Sequence, residues 1–305
     1  MGNSYEDKIK LAKEFRDTTL VKPIYAPEYE SFQELVNCED KYISTVEGQS
    51  HFYLVTPKES KQIYPLYINM HGGGFVIGHG KKDELFCNKI AALAGCKVIN
   101  IDFKLAPEYP FPTAFNECYD IVKWAFSHAE ELHIDKEKIV LGGHSAGGVL
   151  TTAVALKANQ TKDFKLKKII MDYAGFDFAT DPAEKLKAED NIEEFDNLIV
   201  EKMKQINSMA VANEEDRYNP YLSPIFATEE MLQGMPPALM IIAGKDFLRF
   251  EAKRFAMKLI DVGTEVTMKE FLNSRHGFVE GCQQEYIEAQ DTIIKTLRQV
   301  FYPAK

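Results

Sequence analysis

The sequence predicts an α/β fold: a mostly parallel sheet of about eight strands, flanked by helices, with a helical segment over one end. Three observations predict it. Short apolar runs bounded by turn residues alternate with longer amphipathic stretches, the rhythm of strand–helix–strand units. Two of those runs lead straight into glycine-rich turns, His71-Gly72-Gly73-Gly74 and residues 142–148. The chain has 305 residues and 45% hydrophobic content, enough for one large core and an accessory segment.

The elements follow in order. Residues 8–36 stand outside the rhythm, with Ile9, Ala12 and Phe15 on one face and Phe32, Leu35 and Val36 on another. Residues 42–47 and 51–56 flank Gly48-Gln49 and read as an antiparallel hairpin. Residues 64–70 read as a buried strand that delivers His71, and residues 97–101 as the next. After the proline-rich stretch 105–112, Phe115, Tyr119, Val122 and Phe126 recur at helical spacing. A short strand over 138–141 feeds the second glycine turn, and residues 149–158 form the helix behind it. Strands over 168–173, 238–243 and 265–271 complete the sheet.

A second interruption spans residues 182–213, where Phe195, Ile199, Met203 and Ile206 keep helical spacing. Spacing alone does not separate a cap from an ordinary surface helix, but the length of the insertion favours a cap. The expected organisation is an N-terminal cap segment over 1–40, a core from 41–180 and 215–305, and a helical cap insertion over 181–214.

Composition excludes several classes. A net charge of −10 leaves no electrostatic footprint for nucleic acid. The cationic cluster Lys165, Lys167 and Lys168 reads as a solvated turn. Five cysteines (38, 87, 96, 118 and 282) show no CxxC spacing, so a disulfide framework is not expected. Residues 1–13 are polar, with no signal-peptide core, and no apolar run is long enough for a membrane span. A cytoplasmic location with no membrane partner is the expectation. His128 and His133 lack metal-site spacing and HExxH is absent, so no metal is expected. Gly147-Gly148 lacks the GK[ST] ending of a phosphate loop, and no cofactor is expected.

The chemistry lies in the two glycine turns. Gly143-His144-Ser145-Ala146-Gly147 fits G-x-S-x-G, a strand-to-helix turn that exposes a serine oxygen. His71-Gly74 fits a loop whose backbone N–H groups stabilise an oxyanion. A serine hydroxyl is a weak nucleophile until a base takes its proton. His276, in a loop after the last strand, is the best base among seven histidines. Asp246, at the end of strand 238–243, is the matching acid; Asp177 and Glu251 are weaker competitors. The order Ser145, Asp246, His276 is that required by a G-x-S-x-G serine on a parallel sheet. Gly73, Gly74 and Ala146 are the expected oxyanion donors, and His71 the residue that orients their loop.

With these residues in place, the chain resembles the hormone-sensitive-lipase-like family of α/β-hydrolases, marked by HGGG and GDSAGG signatures. The likeness extends to residues 103–112, similar to that family's Y-R-L-A-P-E-x-x-F-P segment, and to Asp246-Phe247-Leu248-Arg249, similar to D-P-L-R. His276-Gly277-Phe278, Pro220 to Pro224 and Pro236-Pro237-Ala238-Leu239 also fit, so the resemblance covers roughly residues 60–280. It implies an α/β-hydrolase fold, a Ser145–Asp246–His276 triad, hydrolysis of short- to medium-chain carboxylic esters, and a homodimer as a common state. Two positions depart. His144 stands where the family has aspartate, which marks it as a residue that tunes pH response; Phe247 stands where it has proline.

The sequence therefore points to a serine carboxylesterase acting on a small-molecule ester through an acyl-enzyme. Within enzymes the alternative is a deacetylase of acetylated sugars, drugs or amides. From another class, a small-molecule receptor on the same fold would lack the working histidine, which His276 argues against.

Overall fold

The structure, a computed structural model, describes residues 4–19, 27–187 and 197–303. Among them eight strands form one sheet in the order β1-β2-β4-β3-β5-β6-β7-β8. The chain opens with helix α1 (Tyr5–Thr19) and a 3₁₀ segment (Pro27–Leu35), then β1 (Val36–Thr45) and β2 (Gly48–Pro57) as the expected antiparallel hairpin. β2 also runs antiparallel to β4 (Lys97–Asp102), while β4, β3 (Tyr64–Met70), β5 (Ile134–His144), β6 (Lys168–Asp172), β7 (Ala238–Ala243) and β8 (Val266–Phe271) are parallel.

Parallel strands carry helices on both faces and are therefore apolar throughout. Every residue of β3 and of β7 is buried, which is why both read clearly as strands. On one face lie α3 (Thr113–Ser127), α4 (Ala146–Thr161) and α8 (Arg249–Asp261), around a core that includes Leu141, Val154 and Phe255. On the other lie α2 (Lys81–Ala94) and α9 (Tyr286–Phe301), around Phe86, Ile241 and Phe301. Each fully buried side chain of this size stabilises the fold by about 1.5–3 kcal/mol.

Several boundaries differ from expectation, and three of them show why. β1 starts at Val36 rather than 42 because it is an edge strand, exposed along most of its length, and carries little apolar signal. The sheet thus takes residues from the segment assigned to 1–40. β5 starts at Ile134 rather than 138, its early residues being solvent-facing and charged. α4 begins at Ala146, directly after the serine, rather than at 149.

The inserted segment holds α5 (Pro182–Lys187) and α6 (Asn197–Ala210), after which α7 (Glu229–Leu232) precedes β7. Phe195 lies outside the described residues. α1 meets the inserted segment through Lys8, whose Nζ donates to the Val211 carbonyl at 3.2 Å. It meets the core through Arg16, which donates to the carbonyls of Val76 and Ala106 and to both oxygens of Glu108. No described helix is long and apolar enough to cross a membrane.

Candidate active site

Ser145 sits in the turn between β5 and α4 with φ 51° and ψ −114°, a backbone region that a side chain makes costly. The turn is held by hydrogen bonds from the Ser145 N–H to the Asp172 carbonyl (2.9 Å) and from the Gly148 N–H to the Ser145 carbonyl (3.0 Å). Glycine on either side is a matter of space. A Cβ on Gly147 would lie 1.9 Å from the Met70 carbonyl oxygen, and one on Gly143 would lie 2.3 Å from the Gly147 backbone. The turn can press against β3 only without those atoms.

The glycine loop after β3 faces it. Gly73 and Gly74 have φ of 115° and 62°, in the left-handed region, and the Gly73 carbonyl accepts the N–H groups of Val76 and Ile77. The N–H groups of Gly73 and Gly74 have no hydrogen-bond partner among the described residues and border the same cavity as Ser145 and Ala146. His71 is fully buried beneath the loop, stacked on Phe103 with ring centroids 4.0 Å apart, its Nδ1 2.7 Å from the Gly72 carbonyl. Burial pushes its pKa down, so it stays neutral near pH 7.

Asp246 and His276 meet the serine from the other side. His276 Nε2 is 2.9 Å from Ser145 Oγ, and His276 Nδ1 is 2.5 Å from Asp246 Oδ2. A carboxylate only accepts, so Nδ1 carries the proton and Nε2 accepts the serine hydroxyl. Asp246 is buried and its Oδ1 accepts the Leu248 N–H, which leaves Oδ2 aimed at the ring. Of the rival carboxylates, Asp177 accepts the N–H groups of Ala179 and Thr180. Glu251 accepts the Phe176 N–H and Lys185 Nζ. Neither reaches His276.

Below and beside the serine lie charged groups that only long-range contacts bring together. His144 is fully buried with Nδ1 2.9 Å from Asp172 Oδ2 and 3.9 Å from Glu280 Oε2. Glu280 also takes Lys82 Nζ at 2.8 Å and the Tyr173 hydroxyl. Burial disfavours the His144 cation, but the carboxylates of Asp172 and Glu280 outweigh it, and the pKa is raised. Burial pushes Asp172 up as well, against the pull of His144. The Tyr173 ring lies between the two histidines, 6.0 Å from His144 and 4.9 Å from His276 between centroids. Glu280 sits in the same loop as His276, so its ion pair with α2 helps to fix the base. Phe247, the other departure, is buried against Leu186, Val200 and Leu248, where its ring joins the inserted segment to the core.

Above the serine is a cavity of about 220 Å³. Its core-side wall carries Gly73, Ser145 and His276, and its other wall carries Pro182, Lys185, Met203, Ile206 and Asn207 from α5 and α6. Lys185 bridges the two walls, with Nζ 2.6 Å from Glu251 Oε2. Burial raises the pKa of Glu251, and Lys185 opposes that shift. Lys82, Asp172, Glu280, Lys185 and Asn207 were not foreseen as site residues. Each looks like an ordinary polar surface position in sequence, and only long-range contacts bring them here. Among the described residues no group of three His, Cys, Asp or Glu side chains can hold a metal ion.

The chain is similar to several known proteins. A family model described as the alpha/beta hydrolase fold matches residues 67–280. An arylesterase of Saccharolobus solfataricus is 32% identical over 218 residues, spanning 70% of this chain and 68% of that protein. The hormone-sensitive lipase of Ictidomys tridecemlineatus is 41% identical over 102 residues, 33% of this chain and 13% of the lipase. Among solved structures, a hyperthermophilic esterase from the archaeon Pyrobaculum calidifontis superposes with a TM-score of 0.82 at 27% identity, covering 96% of this chain and 93% of that one.

Proposed function

The chain belongs to the α/β-hydrolase family, in its hormone-sensitive-lipase-like branch, and from that premise we propose that it is a serine carboxylesterase acting on small esters. Ser145 is the nucleophile, His276 the base and Asp246 the acid that orients it. The observation that carries the reading is the unbroken relay from Ser145 Oγ to His276 to Asp246, 2.9 and 2.5 Å long.

In the first half-reaction Ser145 Oγ attacks the ester carbonyl while His276 Nε2 takes its proton. The carbonyl oxygen gains negative charge, which the N–H groups of Gly73, Gly74 and Ala146 stabilise; one such donor is worth about 10²–10³ in rate. The C–O bond to the alcohol then breaks as His276 returns the proton to the leaving oxygen. In the second half, His276 deprotonates water, which attacks the acyl-serine and releases the acid. Asp246 stays ionised throughout and stabilises the imidazolium. The far wall of the cavity, and the Lys8 bond to the Val211 carbonyl, support a division of labour, with residues 181–214 and the N-terminal segment as a cap over a core that does the chemistry.

Intact-protein mass after exposure to a fluorophosphonate tests this reading. One adduct in the wild type, absent in Ser145→Ala together with a fall of at least about 10⁴ in ester turnover, is the expected result. Turnover retained in Ser145→Ala would overturn the assignment. An acyl-chain series on the wild type then reads the preferred length, expected to be short to medium.

A further inference from the structure

α6 lies directly on the oxyanion loop: a Cβ on Gly74 would come within 2.5 Å of Ile206 Cγ2. Met203, Ile206 and Asn207 stand at i, i+3 and i+4 and all three border the cavity, so one face of α6 forms its wall beside the reacting carbonyl. Two of those side chains are apolar, as are Ile77 and Phe178, which line the same cavity.

Asn207 is different. Only 3% of it is exposed, and its Oδ1 has no hydrogen-bond partner. Its carboxamide makes no hydrogen bond to any described residue, not even to a carbonyl of its own helix. The charged groups of the wall are engaged with one another, Lys82 with Glu280 and Lys185 with Glu251, and Asp177 holds two backbone N–H groups. Buried polar side-chain atoms are normally hydrogen-bonded, because leaving one unpaired forfeits its hydration with nothing in return. A free carboxamide in an apolar wall above a nucleophile is therefore a site for a polar group on what enters the cavity.

Building on the esterase reading, we propose that Asn207 is a substrate subsite that selects esters bearing a hydroxyl group on the chain lying under α6. A hydroxyl both donates and accepts, so it satisfies either end of a carboxamide; a methylene in its place leaves the buried amide unpaired. Sites built around such a polar group reject the apolar isostere more strongly than apolar pockets reject an added hydroxyl.

The test compares isosteric pairs in which a hydroxyl replaces a methyl. On the acyl side these are the 4-nitrophenyl esters of 3-hydroxybutyrate and 3-methylbutyrate, and on the alcohol side 2-hydroxyethyl and propyl butyrate. In the wild type the hydroxylated member of one pair should have a kcat/KM higher by about tenfold. In Asn207→Leu that ratio should fall to about one or below, and Asn207→Ala gives the same reading if the leucine variant fails to fold. A wild-type ratio near one in both pairs, or a preference that survives in the variants, would overturn the proposal. Ser145→Ala separates the two levels. If it still turns over the methylated esters, the esterase assignment itself fails; if it does not, the ratio reports on Asn207 alone.

Discussion

The floor of the cavity and its roof are held by different forces. The floor is backbone pressed on backbone, with glycines at 143 and 147 against β3, over the buried pair of His144 and Asp172, while Glu280 and its partner Lys82 border the cavity beside it. The roof is two helices seated mainly by side chains: Ile206 over Gly74, Phe247 against Leu186 and Val200, and Lys185 bound to Glu251 and to the Asp177 carbonyl, with a backbone bond from the Phe111 N–H to the Ala210 carbonyl. Hydrogen-bonded backbone contacts have no rotamers to exchange, so the floor fixes atoms to within fractions of an ångström. Side-chain contacts can be rebuilt with modest loss. From this difference we expect substitutions below the serine to change rate and those above it to change selectivity.

Substitutions in each region test that contrast. The largest effect is expected at Gly147→Ala, whose methyl would stand 1.9 Å from the Met70 carbonyl oxygen. It should cost about 3 kcal/mol or more in urea unfolding, because backbone on both sides must move. A loss below about 1 kcal/mol would mean that the floor gives way as readily as a side-chain contact.

Next is His144→Asn, which leaves Asp172 buried without its cationic neighbour. A loss of about 1–3 kcal/mol is expected at mildly acidic pH. The sign follows from linkage. His144 is raised in the folded state, so its contribution is complete below its ordinary value of 6.5 and fades as pH rises through the raised value. The gap between wild type and variant, read by thermal unfolding across pH 5.5–9, should therefore close towards alkaline pH (a window about one to two units either side of neutral). A gap that is constant or widens would show that the imidazolium is not what holds the pair of His144 and Asp172 together.

The smallest effect on stability belongs to the roof. Met203→Ala should cost less than about 1.5 kcal/mol yet shift relative kcat/KM between butyrate and octanoate esters by about tenfold towards the longer chain. A uniform fall for all chain lengths would erase the division between floor and roof.

Much of this was legible in sequence for identifiable reasons. The central strands announce themselves because a strand covered on both faces is apolar at every position. The first part of the edge strand β1 does not, because Asn37, Glu39 and Asp40 are polar and exposed, although residues 42–47 read as strand. Ser145, His71 and the glycines are legible because their turns have steric requirements that few sequences meet. Asp246 and His276 follow once the strands before them are placed.

His144 shows where sequence stops. As a departure from the family pattern it marks itself, and the change of charge suggests a tuned pH response. The sequence contains nothing that says which groups face it. Asp172 is reachable only through the register of β5 on β6, and Glu280 only through the loop that carries His276. Lys82 and Glu280 are 198 residues apart in the chain. Asn207 reads as one more polar residue of an amphipathic helix until α6 is seated on the glycine loop.

From the residues alone came the α/β class, the places of the central strands along the chain, and Ser145, His276, Asp246 and the glycine loop as the candidate site. These are set by local steric rules and by periodicity, which act over a few neighbouring residues. Folding alone settled which charges lie near the serine, which side chains lie over it, and that Asn207 borders the cavity with its Oδ1 unpaired. Those properties depend on burial and on contacts between distant segments, and a side chain's charge and hydrogen-bonding needs acquire their energetic meaning only once water has been removed from around it.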